Sequence, residues 1–543
     1  MTGTRAAAFA CAALVAIVLG PALAHGGLVG DPTVDVWTHA WGLGWVAERL
    51  SHGALPIATT ALGFPRGGSV TPADPLGALL VLPVTLTLGV SGAYLVELGL
   101  QLALAAGAGW AYGKAVAGPW GGFVVAAACT TSPTFTAELH NGILEANWIG
   151  LVPLAAAAAL LRPRWTPAAV ALAAAASPYH GVAAGILAGA HLLARREWRT
   201  FALTALAGAA ALGAATALLH LGFSGAEPLE VKPPGLQEPT LRVNAVDPRA
   251  FFWPGDHWTV DLASGGFAPN FRRTPYLGWT LVLAALVGTA RAPKRAWLWA
   301  PVTLGAVLAL GPYLWWNGDW YAPGGAGRLA LPLFPLLKLT DGQLDHPLRF
   351  LSMAIPALAA LAALGAGRFA PLLAALVVAE NLAVAPNVWP LPTVDATIPA
   401  VYAEIPADGR AIIDLPAQVG ETMRTGAYLY WQTAHGHPIP YTLKPSAKVP
   451  SMNATLRTWL ALSAPMQIPR GSPGWIDPAS DLHAALDELI AQGFGWVILH
   501  RSLCRDQPAW NDHERAVSAL VGPGRRVGDD ELWELNAAGA ARR

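Results

Sequence analysis

The chain has 543 residues, 54% of them hydrophobic and only 13% charged, and its 34 basic and 34 acidic residues give zero formal net charge. Its mean hydropathy of +0.43 excludes an ordinary soluble enzyme, and the even charge balance gives no electrostatic footprint for a nucleic-acid partner. Cys11, Cys129 and Cys504 lie far apart and form neither a disulfide framework nor a metal-ligand spacing.

Several runs reach the roughly 18–20 uncharged residues that cross a bilayer, so the fold class is a polytopic α-helical membrane protein. The first apolar segment, about 6–23, follows Arg5 and precedes Ala22-Leu23-Ala24. It reads either as a cleaved signal peptide or as a first span, and the number of later spans favours the span. Residues 24–73 form the first outer loop, with a helix over 36–51 in which Val34, Trp37, Trp41 and Trp45 recur at helical spacing. That pattern suits a helix lying in the membrane interface.

The run 75–89 carries Pro83 and is short for a span. Reading it as interfacial or re-entrant puts every short Lys- or Arg-bearing loop on the cytoplasmic side. The spans are then 6–23, 92–112, 119–135, 143–161, 167–177, 180–194, 200–222, 276–290, 297–314, 348–366 and 370–385, about eleven in all. Further outer loops cover 223–275 and 315–346, and residues 1–386 form the membrane part. The tail, 387–543, falls outside the cytoplasm and reads as α/β. Ala411–Pro416 and Phe494–His500 are buried strands, Asp481–Gly493 is a helix with a glycine stop, and Glu531–Asn536 is a further strand. The sequence contains neither a Gly-rich phosphate loop nor an internal repeat.

All the polar clusters fall on the outer side of this topology. They are Asp31, Asp35 and His39; Glu138, His140, Asn141 and Glu145; Tyr179 and His180; Asp256 and His257; Arg272 and Arg273; and Asp341, Asp345, His346 and Arg349. Ionisable groups at membrane depth are costly and tend to be kept for a site. Each also has a plainer reading. Asp31 precedes Pro32 and can start a turn, Asp35 can cap the 36–51 helix, His140 and Asn141 can cap helix ends, and Arg272 and Arg273 can anchor a span at head-group level.

A first loop with GDPxxDxW, a helix and a Gly53-to-Pro56 turn resembles membrane-embedded GT-C fold glycosyltransferases, and more closely a set of bacterial membrane proteins near them. LHNG after the third span, HPLRF before a late span, Thr274–Thr280, Tyr428–Ile439 and the unit DELIAQGFGWVILH carry the same resemblance, which covers most of the chain. It implies an inverting transfer of sugar from a polyprenyl-phosphate donor at the outer face of a bacterial plasma membrane. The acceptor would be a glycan, a lipid or a protein.

By that resemblance Asp31 or Asp35 is the general base or helps to hold a metal. His39, His140, Asn141, Glu145, His180, Arg272, Arg273 and Arg349 are the candidates for binding donor phosphate or substrate. The residue types suit the chemistry. One carboxylate takes the acceptor proton, and guanidinium forks grip the leaving phosphate. The four-residue spacing of the two acids departs from the adjacent pair common in the GT-C group. No cofactor is implied with certainty; Asp31, Asp35 and His140 leave a divalent metal open. Two other classes compete: a non-catalytic envelope assembly protein that binds a partner through its tail, and a transporter or flippase, which would want acids near mid-membrane and related halves.

Overall fold

Apolar runs broken by proline and glycine dictate a chain of helices, and that is what forms. A computed structural model describes residues 2–70, 74–223, 241–242, 244–254, 274–325, 327–340, 342, 344–384, 389–416, 426–443, 482–504 and 507–536. Five helical stretches among them are long and apolar enough to cross a membrane: Arg5–His25, Pro75–Ala117, Leu144–Leu161, Trp198–Ala217 and Pro347–Ala383. Trp279–Arg291 is a shorter apolar helix. Leu79, Leu86, Leu88, Leu203, Leu206 and Leu283 point outward from these helices, an apolar exterior that suits lipid rather than water. The chain is thus predominantly helical, with the long apolar helices of a membrane protein.

The 43-residue run Pro75–Ala117 is two helices in series, because Gly89 adopts φ 76° and ψ 179°. The break falls at the end of the 75–89 stretch that the sequence sets apart. The helix Leu351–Ala366 is almost wholly buried and packs against the helices Trp279–Arg291, Trp299–Ala309, Gly121–Thr131 and Pro75–Ala117. Its crossing with Trp279–Arg291 is close. A Cβ on Gly288 would overlap the Leu361 carbonyl, and one on Gly365 would overlap that of Ala284. Small residues let membrane helices approach to backbone contact in this way.

The tail contributes a four-stranded sheet. Ala411–Leu415 pairs in parallel with Phe494–His500, which pairs antiparallel with Asp530–Glu534, which in turn pairs with Arg525–Val527. The first two strands are buried at every residue, as unbroken apolar runs require. The strands expected at 411–416, 494–500 and 531–536 and the helix expected at 481–493 agree with these elements and with the helix Leu482–Ala491 to within a few residues.

The first loop is clamped between the helices and the tail. Leu28–Val29 pairs antiparallel with Thr393–Val394. Gly63 N–H donates to Tyr441 O at 2.9 Å, and Ile439 N–H donates to Ala61 O at 2.8 Å. The helix Val36–Ser51 forms where expected, and its tryptophans face protein rather than lipid. Trp37, Trp41 and Trp45 are all buried, and Trp41 Nε1–H donates to Gln432 Oε1 at 2.9 Å. The helix Gly426–His435 covers them, with Trp37 packed on Tyr430 at 5.6 Å between ring centroids. A partner some 390 positions away leaves no trace in local periodicity.

Candidate functional site

Four chain segments bring four ionisable side chains together beneath the first loop. His39 comes from the helix Val36–Ser51, Glu138 from the short helix Pro133–Asn141, Glu145 from the tight turn Leu144–Gly150, and Arg349 from the turn Pro347–Phe350 that opens the helix Leu351–Ala366. Pro347 and Pro133 each sit in the first turn of their segment, where a missing N–H costs nothing. Arg349 Nη2 lies 3.2 Å from Glu145 Oε1, and its Nε lies 3.4 Å from Glu138 Oε1. Glu145 Oε2 lies 3.2 Å from His39 Nε2. Glu145 therefore bridges an imidazole and a guanidinium.

The network is framed by further polar groups. The Arg349 guanidinium carbon sits 5.5 Å from the centre of the Tyr179 ring. Tyr179 OH accepts from His346 N–H at 2.8 Å, and His346 Nδ1 contacts Asp345 Oδ1 at 2.8 Å. His180, buried one residue on, donates from Nε2–H to Ala146 O at 2.9 Å. It thereby holds the turn that presents Glu145.

The first-loop acids are joined to this network through the backbone. Asp31 N–H donates to His140 O at 2.7 Å, and Asp35 N–H donates to Asn141 O at 3.2 Å. Gly142 allows the approach. It ends its helix at φ 70°, and a Cβ there would stand 2.8 Å from Val36 Cβ and 3.0 Å from the Tyr94 hydroxyl. The two acids differ in what they do locally. Asp31 Oδ1 accepts from Thr33 N–H at 2.8 Å and from Thr33 Oγ1–H at 2.7 Å, a turn held by its own side chain. Asp35 occupies the N-cap position of the Val36–Ser51 helix but makes no side-chain cap hydrogen bond. Both residues are half-buried.

Of the residues expected from sequence, the structure gathers His39, Glu145 and Arg349 into direct contact and places Asp31, Asp35, His140, Asn141 and His180 around them. Arg272 and Arg273, with Asp256, His257 and Asp341, lie outside the described residues. Among the described residues, no group of three or more His, Cys, Asp or Glu side chains is placed to hold a metal ion. The donor set does not fit a metal, so no step is routed through one.

A second buried cluster escapes the sequence reading. Asp74 caps the Pro75–Ala117 helix, its Oδ1 accepting from Gly77 N–H at 2.8 Å and its Oδ2 from Trp148 Nε1–H at 2.7 Å. Glu97, fully buried, accepts from Gln101 Nε2–H at 2.9 Å, and Gln101 also donates to Leu144 O at 3.0 Å. Gly77 leaves room for the two carboxyls to meet through a side-chain hydrogen bond, since a Cβ there would collide with oxygens of both. The signal was present: Glu97 is a carboxylate inside an otherwise apolar span, which by itself marks a site. Glu138, the second partner of Arg349, is visible in AELHNG, but only the fold makes it a partner.

Comparison with protein-family models finds no match for this chain, and comparison with curated proteins finds none.

Proposed function

We propose that the protein is a membrane glycosyltransferase of the GT-C type. It moves a sugar from a polyprenyl-phosphate donor to an envelope acceptor at the extracytoplasmic face of a bacterial plasma membrane. In this reading the chain crosses the membrane about eleven times, and residues 387–543 lie on the outer side with the first loop. The observation that carries the reading is the convergence of His39, Glu138, Glu145 and Arg349 directly beneath a loop that bears two carboxylates. Several kcal/mol of desolvation per buried ion is tolerated where the ions serve a site.

The geometry supports Asp35 over Asp31 as the general base. Asp31 is committed to its turn, whereas Asp35 leaves the cap position without using its carboxylate there. Asp35 would take the acceptor hydroxyl proton as that oxygen bonds to the anomeric carbon and the donor's anomeric C–O bond to phosphate breaks. The phosphate would depart carrying the electron pair, stabilised by the Arg349 guanidinium.

One observation favours a second reading, a non-catalytic envelope assembly protein. Arg349 is already held between two carboxylates, so its charge is compensated without a phosphate. Transfer from a radiolabelled lipid-linked sugar, assayed in membranes for D31N and D35N at matched expression, separates the two. A general base contributes on the order of 10²–10⁴-fold. D35N is expected to lose transfer on that scale and D31N to lose less. Unaltered transfer in both variants removes the base assignment, and transfer that persists unchanged in membranes lacking the chain leaves the assembly reading.

A further inference from the structure

Beyond the buried network, a cleft of about 720 Å³ opens between the C-terminal half of the helix Val36–Ser51, the two-stranded loop Ala58–Ser69 and the helix Gly426–His435. Its size is that of a small-molecule site. Trp45, Arg49, Thr59, Thr60, Arg66 and Thr433 line it. This is neither an apolar groove nor part of the network around Arg349.

Three features give the cleft a chemistry. Trp45 forms one wall. It is buried, stacked on Trp41 at 5.1 Å with 16° between planes, and its indole N–H has no hydrogen-bond partner among the described residues. Trp41 is itself pinned to Gln432, so the wall is rigid. Next, the Nε–H of Arg49 is buried without a hydrogen-bond partner, and Arg49 makes no ion pair among the described residues. Its neighbour Glu48 also borders the cleft; it is 57% exposed, with its carboxylate 3.5 Å from His52 Nδ1, and it makes no ion pair with Arg49 among the described residues. Finally, the hydroxyls of Thr59, Thr60 and Thr433 add donors and acceptors around the opening.

A planar guanidinium with spare donors grips an oxyanion bidentately. An aromatic wall takes the apolar C–H face of a ring, and hydroxyls match hydroxyls. We propose that this cleft binds a sugar unit bearing a carboxylate or phosphate, with Arg49 on the oxyanion and Trp45 against the ring. Arg49 lies ten positions beyond His39 on one helix, about 15 Å along its axis. The cleft is therefore set apart from the chamber where transfer would occur, as a subsite for an extended acidic acceptor would be. That acceptor role rests on the glycosyl-transfer reading; the binding does not.

Binding is measured without turnover, by calorimetry on the full chain in nanodiscs. The probes are a uronic-acid disaccharide, a sugar phosphate, the neutral disaccharide and inorganic phosphate. At least one anionic sugar is expected to bind about tenfold or more tightly than the neutral one and than inorganic phosphate. R49Q should erase that preference, and T60W, at an exposed rim position, should block binding with the melting temperature kept. Failure of every sugar to bind overturns the proposal. So does equal binding of bare phosphate and sugar phosphate with no uronate binding, or affinity unchanged in both variants. An acid sugar that binds here while D35N retains full transfer would keep the cleft and sink the base assignment instead.

Discussion

Two of the buried charge clusters in this chain each pair a histidine with carboxylates, to different ends. In the helical part, His39 and Arg349 share Glu145, with Glu138 on the far side of the guanidinium. In the tail, His500 lies between Asp414 and Asp530, its Nε2 3.1 Å from Asp414 Oδ1 and its Nδ1 3.3 Å from Asp530 Oδ1. Tyr402 OH donates to the same Asp414 oxygen at 2.8 Å. The tail cluster is the more enclosed of the two. His500 and Asp414 are 1% and 0% exposed, Asp530 keeps 12% of its side chain accessible, and Tyr402, Tyr428 and Trp431 close rings around the imidazole. In the helical cluster Glu145 keeps 22% of its side chain accessible, while His39 is 4% and Glu138 and Arg349 are 9% exposed. Both pairings satisfy a buried charge. The one with the wider accessible edge is the better placed to meet a substrate, whereas the other ties a parallel strand pair to its antiparallel neighbour.

The contrast breaks most sharply at Arg349. R349Q leaves Glu138 and Glu145 without their cation in a buried setting. Removing one partner of such a pair costs about 3–5 kcal/mol. The account expects a large drop in melting temperature for R349Q, partly rescued in the E145Q/R349Q double variant. A drop no larger than that of a surface substitution would show that the cluster is wet enough to be indifferent, and the two regions would then differ less than argued.

The tail cluster is sharpened by pH. Burial alone would lower the pKa of His500, but its hydrogen bonds and ion pairs with Asp414 and Asp530 outweigh that and raise it above the usual imidazole value. A raised folded value contributes stability below the unfolded pKa near 6.5, and this stability is lost as pH rises through the folded value. His435, stacked on Tyr402 at 4.5 Å, shifts the other way. Burial lowers its pKa to about 4, so stability present at neutral pH falls away between about 6.5 and 4. Calorimetric melts of the full chain from acid to alkaline pH should therefore give a smaller effect than R349Q, with a maximum near neutrality. H500N should flatten the alkaline limb alone, and an alkaline limb unchanged in H500N would remove the charged imidazole from the account.

Much of the helical framework was legible because its signals are local. Apolar run length, Pro133 and Pro347 at helix starts and the glycine stop at Gly493 mark boundaries to within a few residues. The strand Phe494–His500 could be read from an unbroken apolar run, which needs cover on both faces. The gathering of His39, Glu145 and Arg349 followed from which side each loop was assigned, an argument from basic-loop bias rather than from contact. What stayed hidden depends on contacts between distant positions. Trp41 meets Gln432, so the tryptophan stripe is buried under the tail rather than turned to lipid. Glu97 went unremarked because its neighbours are apolar, although for that reason its carboxylate stands out energetically. Asp35 reads from sequence both as a candidate base and as a helix cap, and the structure shows that its side chain makes no cap hydrogen bond.

The central claim is that the acidic first loop faces the non-cytosolic side. Pro32 is exposed beside Asp31, so a P32C variant lacking Cys11, Cys129 and Cys504 gives a single reporter. A membrane-impermeant maleimide applied to intact cells with a permeabilised outer layer should label it fully. Labelling only after the plasma membrane itself is opened would place the loop in the cytoplasm and contradict the account.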